Sequence, residues 1–148
     1  RRRRWSTRLG ARLLVDFGPG VAPYRADRNW LVTALEQVVG EGLSVLRFAG
    51  DPMIAGPGPR STWVPHRPLT TKAPVLVFSD FAAFDPAVSI ERWTAFAESV
   101  VHAGSRLVLL APVPPPPELC RLAVVVSLDR TTTMARARDA VVASGTPR

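Results

Sequence analysis

Two stretches of this chain, PVLVFS at residues 74–79 and RLVLL at 106–110, run apolar without alternation. A strand with one wet face alternates polar and apolar residues. A strand apolar throughout is buried on both faces, the situation in a parallel sheet covered by helices on each side. The segments around them fit that frame. Residues 12–16 and 122–128 read as further apolar strands, and Leu43 to Ala49 alternates well enough for another. Val21 to Val39 has helical spacing through Val21, Tyr24, Leu31, Leu35 and Val38, with Trp30 and Val32 beside them, and stops at Gly40 and Gly42. Ile90 to Ala103 is a second amphipathic helix, with Trp93, Phe96, Ala97, Val100 and Val101 on its apolar side and Gly104 as its stop. Thr131 to Thr133 supply an N-cap for a last helix through Val142. Strands alternating with helices predict an α/β fold: a three-layer, Rossmann-like sandwich with a mostly parallel sheet and helices on both faces. STWV at 61–64, after the long turn GDPMIAGPGPR, reads as one antiparallel edge strand, held at the edge by Pro65. PVPPPP at 112–117 reads as an extended polyproline linker.

A chain of 148 residues suits one domain, here residues 12–143 between a basic tail or linker at 1–11 and a short tail at 144–148. With 47% hydrophobic and 21% charged residues it reads as globular rather than disordered. The net charge is +7, and every basic residue but Lys72 is arginine. That bias, with abundant Ala, Val, Gly and Pro, is what a GC-rich bacterial genome writes, so the charge weighs little in favour of nucleic acid. Arg1 to Arg4 read as a solvated linker. No aromatic residues interleave with basic ones as in a single-strand platform, and a basic nucleic-acid-binding domain stands only as an alternative. A single cysteine, Cys120, excludes an internal disulfide and a multi-cysteine metal site. Beside Leu119 and Leu122 it reads as a buried, inert thiol. No run of 18 apolar residues marks a membrane span. Arg8 and Arg12 interrupt any signal-peptide core, so the expected location is the cytoplasm. The basic ends read as those of a domain cut from a longer protein.

Chemistry concentrates at two strand ends. Asp16 closes the first strand and Asp80 follows PVLVFS. In open parallel sheets ligands bind at the carboxyl ends of strands, where the strand order reverses. Were these two strands neighbours, both carboxylates would enter one crevice and repel unless a cation, a shared proton or water lay between them. Three readings use such a pair: a divalent-cation site, a metal-dependent nuclease or phosphatase using Asp16, Asp80 and Asp85, or a crevice for a partner. A haloacid-type phosphatase is disfavoured, because the position two after Asp16 is Gly18 and Lys72 precedes the strand it should follow. Gly18 to Gly20 form neither a phosphate loop nor a dinucleotide fingerprint and read as a tight turn. A purely structural role is also open: either acid can accept backbone N–H groups or pair with Arg25, Arg28 or Arg47. The four tryptophans, Trp5, Trp30, Trp63 and Trp93, read as core or core-edge, with Trp63 the fair interface anchor. Arg60, His66 and Arg67 beside it make a basic patch suited to an acidic partner.

LLVDFGPGVAPYRADRNWL, then LSVLRFAG, PVLVFSDF and RLVLLAP, together resemble a von Willebrand factor A-type domain, most of all the short, degenerate form in bacterial multi-domain proteins of conflict or signalling systems. The resemblance spans about Leu13 to Val142. It implies a metal-ion-dependent adhesion site built on D-x-S-x-S, a later Thr and a later Asp. Here Asp16 matches the first acid, Gly18 and Gly20 replace the serines, Asp80 matches the later acid, and the Thr falls at Thr70 or Thr71. Glycine offers no oxygen, and Mg²⁺ demands near-octahedral oxygen coordination. The implied site of Asp16, Asp80 and Thr71 is therefore expected to bind metal weakly or not at all, with no cofactor otherwise. The implied function is non-enzymatic: a protein-interaction or scaffolding module in a larger assembly. Its partner would be an AAA+ ATPase or other domains of the same longer chain, with Gly18, Gly20, Trp63, Arg60 and Arg67 as candidate contact residues.

Overall fold

The computed structural model describes residues 10–81 and 90–128. Asp85, Trp5, Arg1 to Arg4 and the expected helix from Thr131 to Val142 lie outside them. Five strands, β1 (Ala11–Asp16), β2 (Leu43–Phe48), β5 (Val75–Phe78), β6 (Leu107–Ala111) and β7 (Val124–Ser127), form one sheet in the order β2-β1-β5-β6-β7. All of its pairings are parallel. Two short strands, β3 (Ile54–Ala55) and β4 (Val64–Pro65), pair antiparallel as a separate ribbon. The antiparallel element is therefore not part of the main sheet. It is tied to the sheet's edge by Arg47 and Gly56, which exchange backbone hydrogen bonds of 2.7 and 3.0 Å. Pro65, with no N–H to donate, sits in this peripheral ribbon as expected.

The uninterrupted apolar runs resolve into two interleaved cores once the pleat is applied. Leu76 and Phe78 of β5 and Val108 and Leu110 of β6 join Leu13 and Val15 of β1 on one face. Helix α1 (Arg25–Val39) covers that face with Leu31, Leu35 and Val39. Val75 and Val77, with Leu107, Leu109 and Leu14, face the other way. There α2 (Ile90–His102) and the short α3 (Pro117–Cys120) supply Trp93, Phe96, Ala97, Val100 and Leu119. Trp93 is the hub, meeting Phe48, Phe81 and Phe96 edge-on with centroids 5.3–6.1 Å apart. Each fully buried large apolar side chain contributes about 1.5–3 kcal/mol relative to exposure, so both faces of the sheet are anchored.

Several local expectations are corrected. The first helix does not begin at Val21: Pro19–Tyr24 is a 3-10 helix, because Pro23 has no N–H for an α-helical bond, and the α-helix starts at Arg25. Trp30 and Val101 point outward, 43% and 40% exposed, since each falls just off the apolar stripe of its helix. Polyproline does not run through residue 117. Pro117 opens α3, where a missing N–H costs nothing. That single turn buries Leu119 and leaves Cys120 exposed, so the thiol is not the buried one expected. No described helix is long and apolar enough to cross a membrane.

Candidate functional site

After β1 the chain goes outward to β2, and it re-enters the sheet on the other side of β1 as β5. The strand order reverses between β1 and β5, and Asp16 and Asp80 flank that point. Both are buried, at 1% and 3% exposed, and Ser79 between them is fully buried. Both oxygens of the Asp16 carboxylate accept hydrogen bonds from the protein itself. Its Oδ1 accepts the N–H of Gly18 at 2.7 Å and of Gly50 at 2.9 Å. Its Oδ2 accepts the Ser79 hydroxyl at 2.6 Å, and Ser79 Oγ in turn accepts the N–H of Phe81 at 2.9 Å. One side chain thus ties together the loops that leave β1, β2 and β5.

Asp80 closes the same crevice from the β5 side. A Cβ added to Gly20 would lie 2.9 Å from Asp80 Cγ and closer still to its Oδ2. Glycine is required at residue 20 because another residue's carboxylate lies against its Cα. A Cβ at Gly18 would stand 3.0 Å from Asp16 Oδ1 and 3.3 Å from the Gly50 nitrogen. The turn at Phe81 has φ of 55°, a left-handed conformation that a bulky residue adopts only under constraint. Here the constraint is the ring, which is buried against Trp93.

Burial pushes the Asp16 carboxyl above its ordinary range. The hydrogen bonds from Ser79, Gly18 and Gly50 pull it back, and the charge of Asp80 adds to the rise. Among the described residues no arginine forms an ion pair with Asp16. Arg28 lies instead over the ring of Phe17, 4.1 Å from its centroid, and Arg47 stands 5.3 Å from the same centroid.

As a cation site this geometry is poor. A carboxylate has about four lone-pair positions, and three donors already point at Asp16. Gly18 and Gly20 bring no oxygen, and the Ser79 hydroxyl is engaged on both sides. Among the described residues no cluster of three or more His, Cys, Asp or Glu is placed to hold a metal. Thr71 is not brought to the site at all. It precedes β5, where its Oγ1 accepts the N–H of Ala73 at 3.4 Å, so it lies at the amino end of the strand whose carboxyl end leads to Asp80. Gly50 and Ser79 are the members that sequence reading missed. Ser79 adjoins Asp80, and Gly50 follows a strand in AGD, a position where a loop passes close to a neighbour.

The basic patch near Trp63 is only partly assembled. Trp63 lies across Gly56, its Nε1 donates to the Gly58 carbonyl at 3.0 Å, and Arg60 stands 5.8 Å from its ring. Arg67 is exposed, and its carbonyl accepts from Arg12 Nη1 at 2.7 Å. His66 does not join them. It turns inward, its ring 5.0 Å from that of Phe96, with Nε2 3.1 Å from Arg12 Nη1. Burial, then the charge of Arg12, lowers its pKa to about 4. Neutral His66 is what the fold accommodates. Its contribution is therefore complete above the ordinary histidine value near 6.5 and is lost as the pH falls toward 4. Urea midpoints should fall between pH 7 and pH 4.5, and His66→Gln should flatten that part of the profile.

Comparison with family models, with curated proteins and with solved structures found no match to this chain.

Proposed function

We propose that this chain is a non-enzymatic protein-interaction module. In this reading it is a von Willebrand A-like domain with a degenerate metal site, working as a scaffold within a larger cytoplasmic assembly of a bacterial conflict or signalling system. The partner is another protein, of the AAA+ ATPase class, or further domains of the same longer chain. The observation that carries the reading is the engagement of both Asp16 oxygens by the protein's own donors. The acid that would initiate metal chemistry accepts three internal hydrogen bonds and serves as a loop clamp. Asp80 stands against Gly20, where a hydroxyl ligand would otherwise belong. A crevice whose first acid is spent on its own loops retains a rigid rim for contact and has one carboxylate fewer with which to hold a cation or polarise a substrate.

Titration with Mg²⁺ and Mn²⁺ tests this directly. A site with a dissociation constant of about 0.1 mM would add about 2.7 kcal/mol of stability at about 10 mM metal, which is a melting shift of several degrees for a chain of this size. The expected result is no saturable heat and no such shift, with no hydrolysis of phosphomonoester or phosphodiester substrates. Saturable metal binding together with hydrolysis abolished by Asp16→Asn would replace this reading with the metal-dependent nuclease or phosphatase.

A further inference from the structure

Arg28 is the one buried arginine among the described residues, with 9% of its surface exposed. Among the described residues its Nε donates a marginal 3.5 Å hydrogen bond to the side chain of Asn29. Among the described residues it has no carboxylate within ion-pair distance; the pair found there joins Arg92 to Asp51 at 2.6 Å. The stem is covered, while the two terminal nitrogens make no hydrogen bond among the described residues and stay open to solvent, and most of the charges around them are positive. Burial lowers the Arg28 pKa first and the positive charge of Arg25 next; Asp16 acts in the opposite direction, and Arg47 adds to the lowering. Asp16, the acid acting on Arg28, has its oxygens occupied by Gly18, Gly50 and Ser79. Among the described residues the carboxyl edge of the sheet thus carries two arginines, Arg28 and Arg47, that form no ion pair with a carboxylate. They stand beside an aromatic ring, Phe17, that is 43% exposed.

We infer that Arg28 and Arg47, set beside the ring of Phe17, are the receiving site for a carboxylate on an acidic segment of a partner protein. The inference rests on the interaction-module reading and names the partner's chemistry. Guanidinium groups take a carboxylate through paired, charge-assisted hydrogen bonds. Stacking on Phe17 holds Arg28 in place before the ligand arrives, which reduces the side-chain entropy lost on binding. An exposed aromatic ring with arginines is the composition of the energetic centre of a protein interface. Nucleic acid fits less well, because it is gripped by an extended basic track. Here the positive groups converge on a single ring, with the buried acids Asp16 and Asp80 at the same edge.

The test uses the full chain and a fluorescent hexaglutamate peptide, with hexaglutamine as the uncharged control, read by anisotropy. Two double variants remove equal charge. Arg28→Gln with Arg47→Gln empties the site. Arg106→Gln with Arg121→Gln removes two exposed arginines that precede β6 and β7, at the opposite edge. Losing two charge-assisted pairs should weaken hexaglutamate binding by about tenfold or more, whereas the control pair should change it by less than about twofold. Arg47→Gln alone, on an edge strand, should give part of the loss and decides the matter if the double variant does not fold. Equal losses in both double variants would show unspecific attraction and overturn the proposal. So would displacement of the peptide by inorganic phosphate or by a hexamer of single-stranded DNA at no higher concentration than free glutamate needs. Failure here without metal-dependent hydrolysis removes this site alone, whereas hydrolysis sensitive to Asp16→Asn removes the interaction-module reading itself.

Discussion

Asp16→Ala is expected to destabilise the chain by about 4 kcal/mol, and Asp16→Asn by only about 1 kcal/mol. The alanine leaves three buried donors without an acceptor: the N–H groups of Gly18 and Gly50 and the Ser79 hydroxyl. Each orphaned donor costs roughly 1–3 kcal/mol, less where a loop can relax toward water. Asparagine keeps an oxygen facing the two N–H groups and turns its amide toward Ser79 Oγ, which can accept, so only the Ser79 hydroxyl proton loses its acceptor. Neutralising the residue also removes a charge that burial and Asp80 both disfavour. The sign with pH follows. Asp16 has a folded pKa above its unfolded value, so its contribution is full below the unfolded value and declines as the pH rises through the folded one. Chemical denaturation of the two variants at pH 5 and pH 8 provides the check. A loss of about 4 kcal/mol is a large share of the 5–15 kcal/mol typical of a domain. Should alanine and asparagine cost the same, the carboxylate would matter as a charge, for a ligand, and not as an acceptor for three loops.

What could be read in advance, and what could not, divides along a physical line. The apolar runs at 74–79 and 106–110 were sufficient for parallel strands because burial on both faces leaves no polar alternation. Together with the run at 12–16, the run at 74–79 also placed Asp16 and Asp80 at strand ends, and pairing of β1 with β5 brought the two acids to one crevice. Positions that depend on register or on a single turn were not legible. Thr71 looked available to the site, yet a strand of four residues separates the amino edge from the carboxyl edge. His66 reads as a surface residue beside two arginines and is instead half-buried, its ring against Phe96. Cys120, expected inside with Leu119, turns outward on the one short helical turn that buries Leu119. Gly50 is the instructive omission. Its role is carried by a backbone N–H, and a backbone donor leaves no mark in side-chain chemistry.

The clamp and the arginines together explain why the edge is built as it is. A parallel sheet exposes strand ends and loop amides at its carboxyl side, and something must gather them. Asp16 does so from within, at the cost of holding a carboxylate out of water. The positive charge of Arg28 and Arg47 lies at the same end of the sheet, on α1 and β2. That leaves an outer rim carrying two arginines over an inner shelf carrying two buried acids.

Gly20→Ser would supply the hydroxyl absent from this crevice, and it is expected to destabilise by about 3 kcal/mol and not to create a metal site. The new Cβ would stand 2.9 Å from Asp80 Cγ and nearer to Oδ2. Asp80 is 3% exposed and follows a strand buried on both faces, so its carboxyl cannot swing freely aside. Overpacking in such places costs typically 1–3 kcal/mol, and displacing a buried carboxylate adds to it. The clash is pairwise, which makes it separable from any general intolerance of the loop. Asp80→Ala removes the obstructing group, so Gly20→Ser should cost less in that background than in the parent. The double-mutant cycle should close with a coupling of about 1–3 kcal/mol. Urea unfolding of the four proteins, with and without Mg²⁺, measures both quantities. Gly20→Ser that proves neutral, with no coupling to Asp80, would mean that the carboxyl yields readily. A neutral Gly20→Ser that also gains stability from Mg²⁺ would mean that the crevice is a dormant metal site and not a sealed one.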